Sequence, residues 1–218
     1  MKKVVLLFVL VISCSLSSTA QDIGNNTEKK GESRFWGEGN VGIGKTLSPL
    51  MYNTNGETFG VGQYSSGFGC LIMYSLMNPA FSVGGSLHYT NINLRGTEDE
   101  WLFPGRIDLG PAVAYKKYIK DKQVAYIVAS AGLKWDEHYK KNLPSGYQFC
   151  QNTLSMGGSL SAAYIFRINS KMMDGLGIKG TVFSYGNSRE ARNAHIKDPI
   201  IDGWEISLCW YLTRKTSK

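Results

Sequence analysis

Between Leu154 and Ile168 the chain changes character at every residue. Leu154, Met156, Gly158, Leu160, Ala162, Tyr164, Phe166 and Ile168 fall on one parity, and Ser155, Gly157, Ser159, Ser161, Ala163, Ile165 and Arg167 on the other. A period of two held over this span predicts a β-strand about twice as long as an ordinary soluble strand. One face is apolar and the other small and polar. Long two-faced strands of this kind are the units of membrane-spanning β-barrels.

The same period recurs along the chain. A first strand over Arg34–Lys45 sets Phe35, Gly37, Gly39, Val41 and Ile43 against Trp36, Glu38, Asn40 and Gly42. A second is predicted over Thr58–Ser75, where Gly60, Gly62, Gly67 and Gly69 suit a sharply bent sheet. The third, Ala80–Asn93, points Phe81, Val83, Gly85, Leu87 and Tyr89 one way and Ser82, Gly84, Ser86, His88 and Thr90 the other. The fourth, Arg106–Tyr118, opposes Ile107, Leu109, Pro111, Val113 and Tyr115 to Asp108, Gly110, Ala112, Ala114 and Lys116. Pro111 removes a ladder donor and is disfavoured in a central strand, a blemish that a bulge could absorb. The fifth, Gln123–Trp135, is apolar on both parities and reads equally as a buried strand. Leu154–Ile168 is the sixth. The seventh, Gly175–Tyr185, sets Leu176, Ile178, Gly180 and Val182 against Gly177, Lys179, Thr181 and Phe183. The last, Gly203–Thr213, sets Trp204, Ile206, Leu208, Trp210 and Leu212 against Glu205, Ser207, Cys209, Tyr211 and Thr213.

The connections alternate in length. Those after the odd strands run to about 12, 12, 18 and 17 residues and those after the even ones to about 4, 4 and 6, the long-short rhythm of a single-chain barrel with external loops and tight periplasmic turns. An even strand number also lets every edge close, as lipid requires. The fold class predicted is all-β, an eight-stranded antiparallel up-and-down transmembrane β-barrel. A soluble sandwich or lipocalin-like barrel shows the same alternation with its apolar parity turned inward. The polar parity here is rich in serine and glycine, which suits a crowded lumen better than a solvated face. Aromatics also gather near the strand ends, at Trp101, Phe103, Tyr118, Trp135, Tyr164, Phe166, Trp204 and Trp210, where membrane barrels carry interfacial girdles.

The first twenty residues read as a signal peptide: Lys2 and Lys3, an apolar run from Val4 to Ile12, then Ser18-Thr19-Ala20. A competing cut exists, because Val11-Ile12-Ser13-Cys14 has the form of a lipoprotein box that would make Cys14 the first residue. Residues 21–33 form a polar, flexible lead, 34–213 the barrel domain, and 214–218 a basic tail. The formal charge of +7 falls to +5 when the leader's two lysines go, too modest to signal nucleic acid. Beyond the leader, Cys70, Cys150 and Cys209 are too sparse for a disulfide framework, and their spacing leaves open whether two of them pair.

In this design, from about residue 34 to 213, the chain resembles the small outer membrane β-barrel proteins of Bacteroidetes-type bacteria, with GRIDLGPAVAYKKYI and YIVASAGLKW over 105–135 similar in cadence. The resemblance implies the cell outer membrane of a Gram-negative bacterium, contact with outer membrane lipid, and passage through periplasmic chaperones and the barrel assembly machinery. Barrels of this group often end on an aromatic residue, whereas here Trp210-Tyr211-Leu212 is followed by TRKTSK. Either the aromatic is read internally or the last strand runs on.

No motif carries catalysis, so no catalytic, cofactor-binding or metal residue and no cofactor is expected. Gly42-Ile43-Gly44-Lys45-Thr46 has the ending of a phosphate loop without the leading glycine spacing or a following helix. His88, His138 and His195 show no metal-ligand spacing. Ser188, Glu190 and His195 supply the residue types of a serine hydrolase within one polar loop, which reads more simply as a solvated loop, as does the acidic run Glu98-Asp99-Glu100. On the inward parity Glu38, Asp108, Lys116, Arg167, Lys179 and Glu205 are expected to form a paired structural network, since unpaired charges in a narrow lumen are costly. The function expected is a non-enzymatic outer membrane barrel with a structural or interaction role through its extracellular loops, whose surface partner is unknown. The alternative is a soluble or lipid-anchored periplasmic barrel of lipocalin type that binds an apolar ligand.

Overall fold

Eight antiparallel strands close on themselves in the computed structural model, which describes residues 32–47, 51–53, 55, 57–59, 62, 64–92, 94–95, 101–102, 105–120, 122–137, 147–149, 154–168, 174–185 and 201–215. They are β1 (Glu32–Thr46), β2 (Tyr64–Ser75), β3 (Phe81–Ile92), β4 (Gly105–Lys120), β5 (Gln123–Glu137), β6 (Leu154–Arg167), β7 (Gly175–Tyr185) and β8 (Gly203–Lys215). Each pairs with its neighbours in sequence, and β8 returns to pair with β1 (Asn40 with Cys209, Val41 with Leu208). The meander is therefore an up-and-down barrel with no open edge, the condition for strands in hydrocarbon.

The alternation read from the chain is the alternation of faces. On β1, Phe35, Val41 and Ile43 are exposed on the outer surface, while Trp36, Glu38 and Asn40 are buried in the lumen. On β6, Met156, Tyr164, Phe166 and Ile168 point out and Ser161, Ala163 and Ile165 point in. Every strand contributes exposed large apolar side chains to one encircling band, among them Ile72, Val83, Leu109, Ile127, Ile178 and Ile206. A soluble barrel would turn that parity inward. A band of this extent far exceeds the isolated apolar patches of soluble monomers, and it makes the wall a transmembrane one.

Aromatic pairs mark the turn-side rim of the band: Phe35 with Tyr74 at 4.9 Å, Phe81 with Tyr115 at 5.3 Å, and Tyr164 with Phe166 at 5.1 Å between ring centroids. Tyr64 and Trp204 stand outward at the loop side. Tyr118 departs from the girdle expectation. It lies on the inward parity of β4, where its ring packs on the core and sits under the Lys116 ammonium at 5.3 Å. The side chains of Trp101, Phe103 and Trp135 lie outside the described residues.

Several boundaries differ from expectation. The second barrel strand starts at Tyr64, because Gly62 adopts a left-handed φ of 75° and donates its N–H to the Thr46 carbonyl at 2.8 Å. That conformation ends a strand and favours glycine. Thr58–Phe59 instead joins Met51–Asn53, which in turn pairs with Tyr147–Phe149, so the loops after β1 and β5 share a three-stranded sheet. A further short hairpin pairs Leu94–Arg95 with Trp101–Leu102 in the loop after β3. Glu32 and Ser33, expected in the flexible lead, begin β1, and β8 runs on to Lys215 into the expected tail. Pro111 does not create a bulge. The β4–β5 register is the same on both sides of it, and between Gly105 and Tyr118 only the pairs at Gly110 and Pro111 are missing.

Two buried aspartates tie the strand ends. Asp202, just before β8, accepts from the Tyr185 backbone N–H, while its own N–H donates to the Phe183 carbonyl at 2.8 Å and its carbonyl accepts from Leu47 N–H at 2.7 Å. Asp174, just before β7, accepts from the N–H and the hydroxyl of Thr213. Each satisfies backbone groups that a strand terminus leaves open. Asp202→Ala is expected to cost about 1–3 kcal/mol, the range for losing a charge-assisted bond to a buried donor. The check is a lower urea midpoint at an unchanged slope, and an unmoved midpoint would show that the bond adds nothing net.

Candidate functional site in the barrel lumen

The inward parity builds two different halves. On the turn side the lumen is filled by Trp36, Leu71, Met73, Val124, Tyr126, Ile165 and Tyr211, all essentially inaccessible. The rings of Trp36 and Tyr126 lie 5.3 Å apart, and those of Trp36 and Tyr211 5.5 Å. Tilted stacking of this kind adds to the burial of large apolar area. Trp36 Nε1 donates to Ser82 Oγ at 3.0 Å, and Lys116 Nζ donates to Tyr211 Oη at 3.4 Å while sitting 5.4 Å from the Trp36 ring. This half is a plug made of side chains, as a narrow eight-stranded barrel requires.

Glu38 is the node above the plug. Its Oε1 accepts from Lys179 Nζ at 2.8 Å and from Asn40 Nδ2 at 2.9 Å, and its Oε2 accepts from the Tyr126 hydroxyl. The residue is 2% exposed. A carboxylate so deeply buried persists because a cation and two neutral donors satisfy it together. The four groups come from β1, β5 and β7, so the node braces the lumen across its width.

Toward the loop side the inward residues become small and polar. Ser130 and Ser159 are bonded at 2.7 Å, and Ser161 and Thr181 at 3.0 Å. With Asn40, His88 and Asp108 they line a cavity of about 40 Å³, room for two or three waters. The Asn40 amide nitrogen is committed to Glu38, so Oδ1 is presented as an acceptor and has no hydrogen-bond partner among the described residues. His88 Nε2 pairs with Glu205 Oε2 at 3.0 Å, and Ser207 donates to the other Glu205 oxygen. The His88 ring also stacks on Phe183 at 5.4 Å.

The expected lumenal charges are distributed over several contacts. Glu38 and Lys179 form the ion pair. Glu205 takes His88 as its partner, Lys116 serves the aromatic plug, and Asp108 is buried on the cavity wall. Arg167 is half-buried at the turn-side end of β6. Tyr126, Asn40 and Ser207 complete these clusters without any signal of their own beyond inward parity. The Gly42–Thr46 stretch lies in β1 as extended chain paired with β8, with no helix after it among the described residues. Cys70 is exposed on the outer face and Cys209 is buried in the lumen, and both are free thiols. Cys14, Cys150, Glu98, Asp99, Glu100, His138, Ser188, Glu190 and His195 lie outside the described residues, and the described ones contain no cluster of metal-ligating side chains.

These features define a class: a closed, eight-stranded, up-and-down membrane β-barrel with a lumen filled by side chains. Two solved structures resemble it in fold. Neisserial surface protein A aligns with a TM-score of 0.51 at 12% identity, over 85% of this chain and 100% of that one. The outer membrane protein OprG from Pseudomonas aeruginosa aligns with a TM-score of 0.51 at 8% identity, over 84% of this chain and 98% of that one. Similarity at these identities is one of architecture. No protein-family model and no curated protein matches the chain.

Proposed function

We propose that the protein is a non-enzymatic barrel of the bacterial outer membrane that acts through its extracellular loops, as a structural element or an interaction module. The observation that carries this reading is the pairing of an encircling apolar belt with a plugged lumen. The belt makes lipid the solvent of the wall. The Trp36–Tyr126–Tyr211 stack and the Glu38 node fill the path through it. With the lumen occupied, the surface left for recognition is the loop side. There the loops after β1 and β5 are tied backbone to backbone through Met51–Asn53 and Tyr147–Phe149, a platform that sets two loops in a fixed relation. The lumen is lined by buried charges and hydroxyls, which does not suit the apolar ligand of a lipocalin-type barrel. Biogenesis through periplasmic chaperones and the barrel assembly machinery belongs to the same reading.

Cell fractionation tests it. The protein is expected in the detergent-extracted outer membrane, with a gel mobility that shifts on heating and with loop residues cut by protease added to intact cells. Recovery as a soluble periplasmic monomer would refute the membrane assignment, and hydrolysis of lipid by the purified barrel would refute the non-enzymatic one.

A further inference from the structure

The β4–β5 ladder is in a single register from Gly105 paired with Glu137 to Tyr118 paired with Val124, yet two successive pairs, Gly110–Gly132 and Pro111–Ala131, are missing. On the other side of β4 the pairing with β3 continues through both residues, Ser86 with Gly110 and Gly85 with Pro111. In an antiparallel ladder, losing two adjacent pairs and neither flanking one is the result of one absent donor. That donor is the Pro111 nitrogen, which faces β5 and the Ala131 carbonyl. We propose that this seam is where the barrel wall opens locally and joins the lumenal cavity to the bilayer, an inference that rests on the membrane-barrel reading above.

Two further observations converge on the same place. The wall there is one backbone thick. Outward, the register brings Gly85, Pro111, Ala131 and Gly158 into one row, and inward Gly110 and Gly132 face each other without side chains. A Cβ on Gly110 would overlap the Ala131 carbonyl oxygen, and one on Gly132 the Leu109 carbonyl. No side chain therefore fits between the two backbones on the lumenal side of this row. Nearer the turn side the same two strands are sealed by Val113 and Ile127 outside and Tyr126 and Val128 inside.

Directly behind the seam lies the polar cavity, with Ser86, Asp108 and Ser130 on its wall. Backbone groups freed in hydrocarbon are costly because lipid offers no partner. At this row one ladder bond is already absent and hydroxyls line the lumenal side, so separation of the strands costs less here than at a sealed row.

Residue-resolved amide hydrogen exchange of the full chain in lipid nanodiscs tests the proposal. Ala131 N–H points into the seam and Ser130 N–H into the β5–β6 ladder. Ala131 is expected to exchange about tenfold faster than Ser130, the effect of one missing ladder bond on local opening. Pro111→Ala restores the donor and is expected to bring the two rates together. Equal rates in the unaltered chain, or a fast Ala131 that Pro111→Ala leaves fast, would overturn the seam. Access from the bilayer is read separately. In a chain with its own cysteines replaced by alanine, Ser130→Cys is expected to react with an alkyl maleimide dissolved in the lipid, and more slowly when Pro111→Ala is added. No reaction, or one indifferent to Pro111→Ala, would overturn the connection to the cavity. Heat-dependent gel mobility, measured on each variant and on the unaltered chain, reports the barrel itself. Its absence in the unaltered chain would sink the membrane reading, not the seam alone.

Discussion

Glu38→Leu is expected to destabilise the barrel by about 3–5 kcal/mol, the cost of leaving a buried charge without its partner. The substitution strands three donors at once. Lys179 Nζ loses its ion pair at 2.8 Å, Asn40 Nδ2 its acceptor at 2.9 Å, and the Tyr126 hydroxyl its acceptor as well. Lys179 has 10% of its side chain exposed and Glu38 none, so water replaces the lost bonds poorly. The double variant Glu38→Leu/Lys179→Met removes both charges and is expected to recover most of the loss, because a buried ion pair exchanged for apolar groups of similar volume is close to neutral. Urea titration of the folded, heat-shiftable species in lipid measures both. A single variant as stable as the parent, or a double variant no better than the single, would show that the node is hydrated and not a brace. Opening of an ion path in planar bilayers by Glu38→Leu, with the parent silent, would add that the node also seals the lumen.

The reach of the sequence is clearest on β6 and β8, where one face meets lipid and the other a polar lumen. A slip of one residue would exchange the two faces completely, so the pattern is under strong physical constraint. The fifth strand was ambiguous because its inward residues Val124, Tyr126 and Val128 belong to the aromatic plug, while Ile127 and Leu133 face lipid. Both parities are apolar there for different reasons. Facing predicted most of the charges that enter the lumen, the buried Arg106 excepted, but not their partners. Glu38 and Lys179 are 141 residues apart, and His88 and Glu205 are 117 apart. Such pairs are set by strand order and stagger around the closed barrel, which no local pattern reports. The loop sheet is hidden for the same reason, since Met51–Asn53 and Tyr147–Phe149 come from loops distant in sequence. Asp174 and Asp202 carry no signal in the sequence, because what they bind is backbone at a neighbouring strand end.

The belt predicts a second large effect. Leu208→Arg is expected to cost about 2–4 kcal/mol, the range for a cation on the lipid face near mid-depth. Leu208 lies at the centre of β8, is 54% exposed, and is flanked in register by Val41 on β1 and Ile178 on β7, both outward and apolar. An arginine there has no polar neighbour on either side and is far from both rims. Leu160→Arg on β6, flanked by Ala129 and Val182, is expected to behave alike. Trp204→Arg carries the same charge on the same face of β8 beside the loop-side rim, where the cost falls to about 0–1 kcal/mol. The contrast separates lipid from water as the solvent of the outer face. In water an exposed leucine replaced by arginine is nearly neutral at any height, so equal stabilities for the three variants would overturn the transmembrane reading. A graded loss, large at Leu208 and Leu160 and small at Trp204, is produced by a bilayer around the belt.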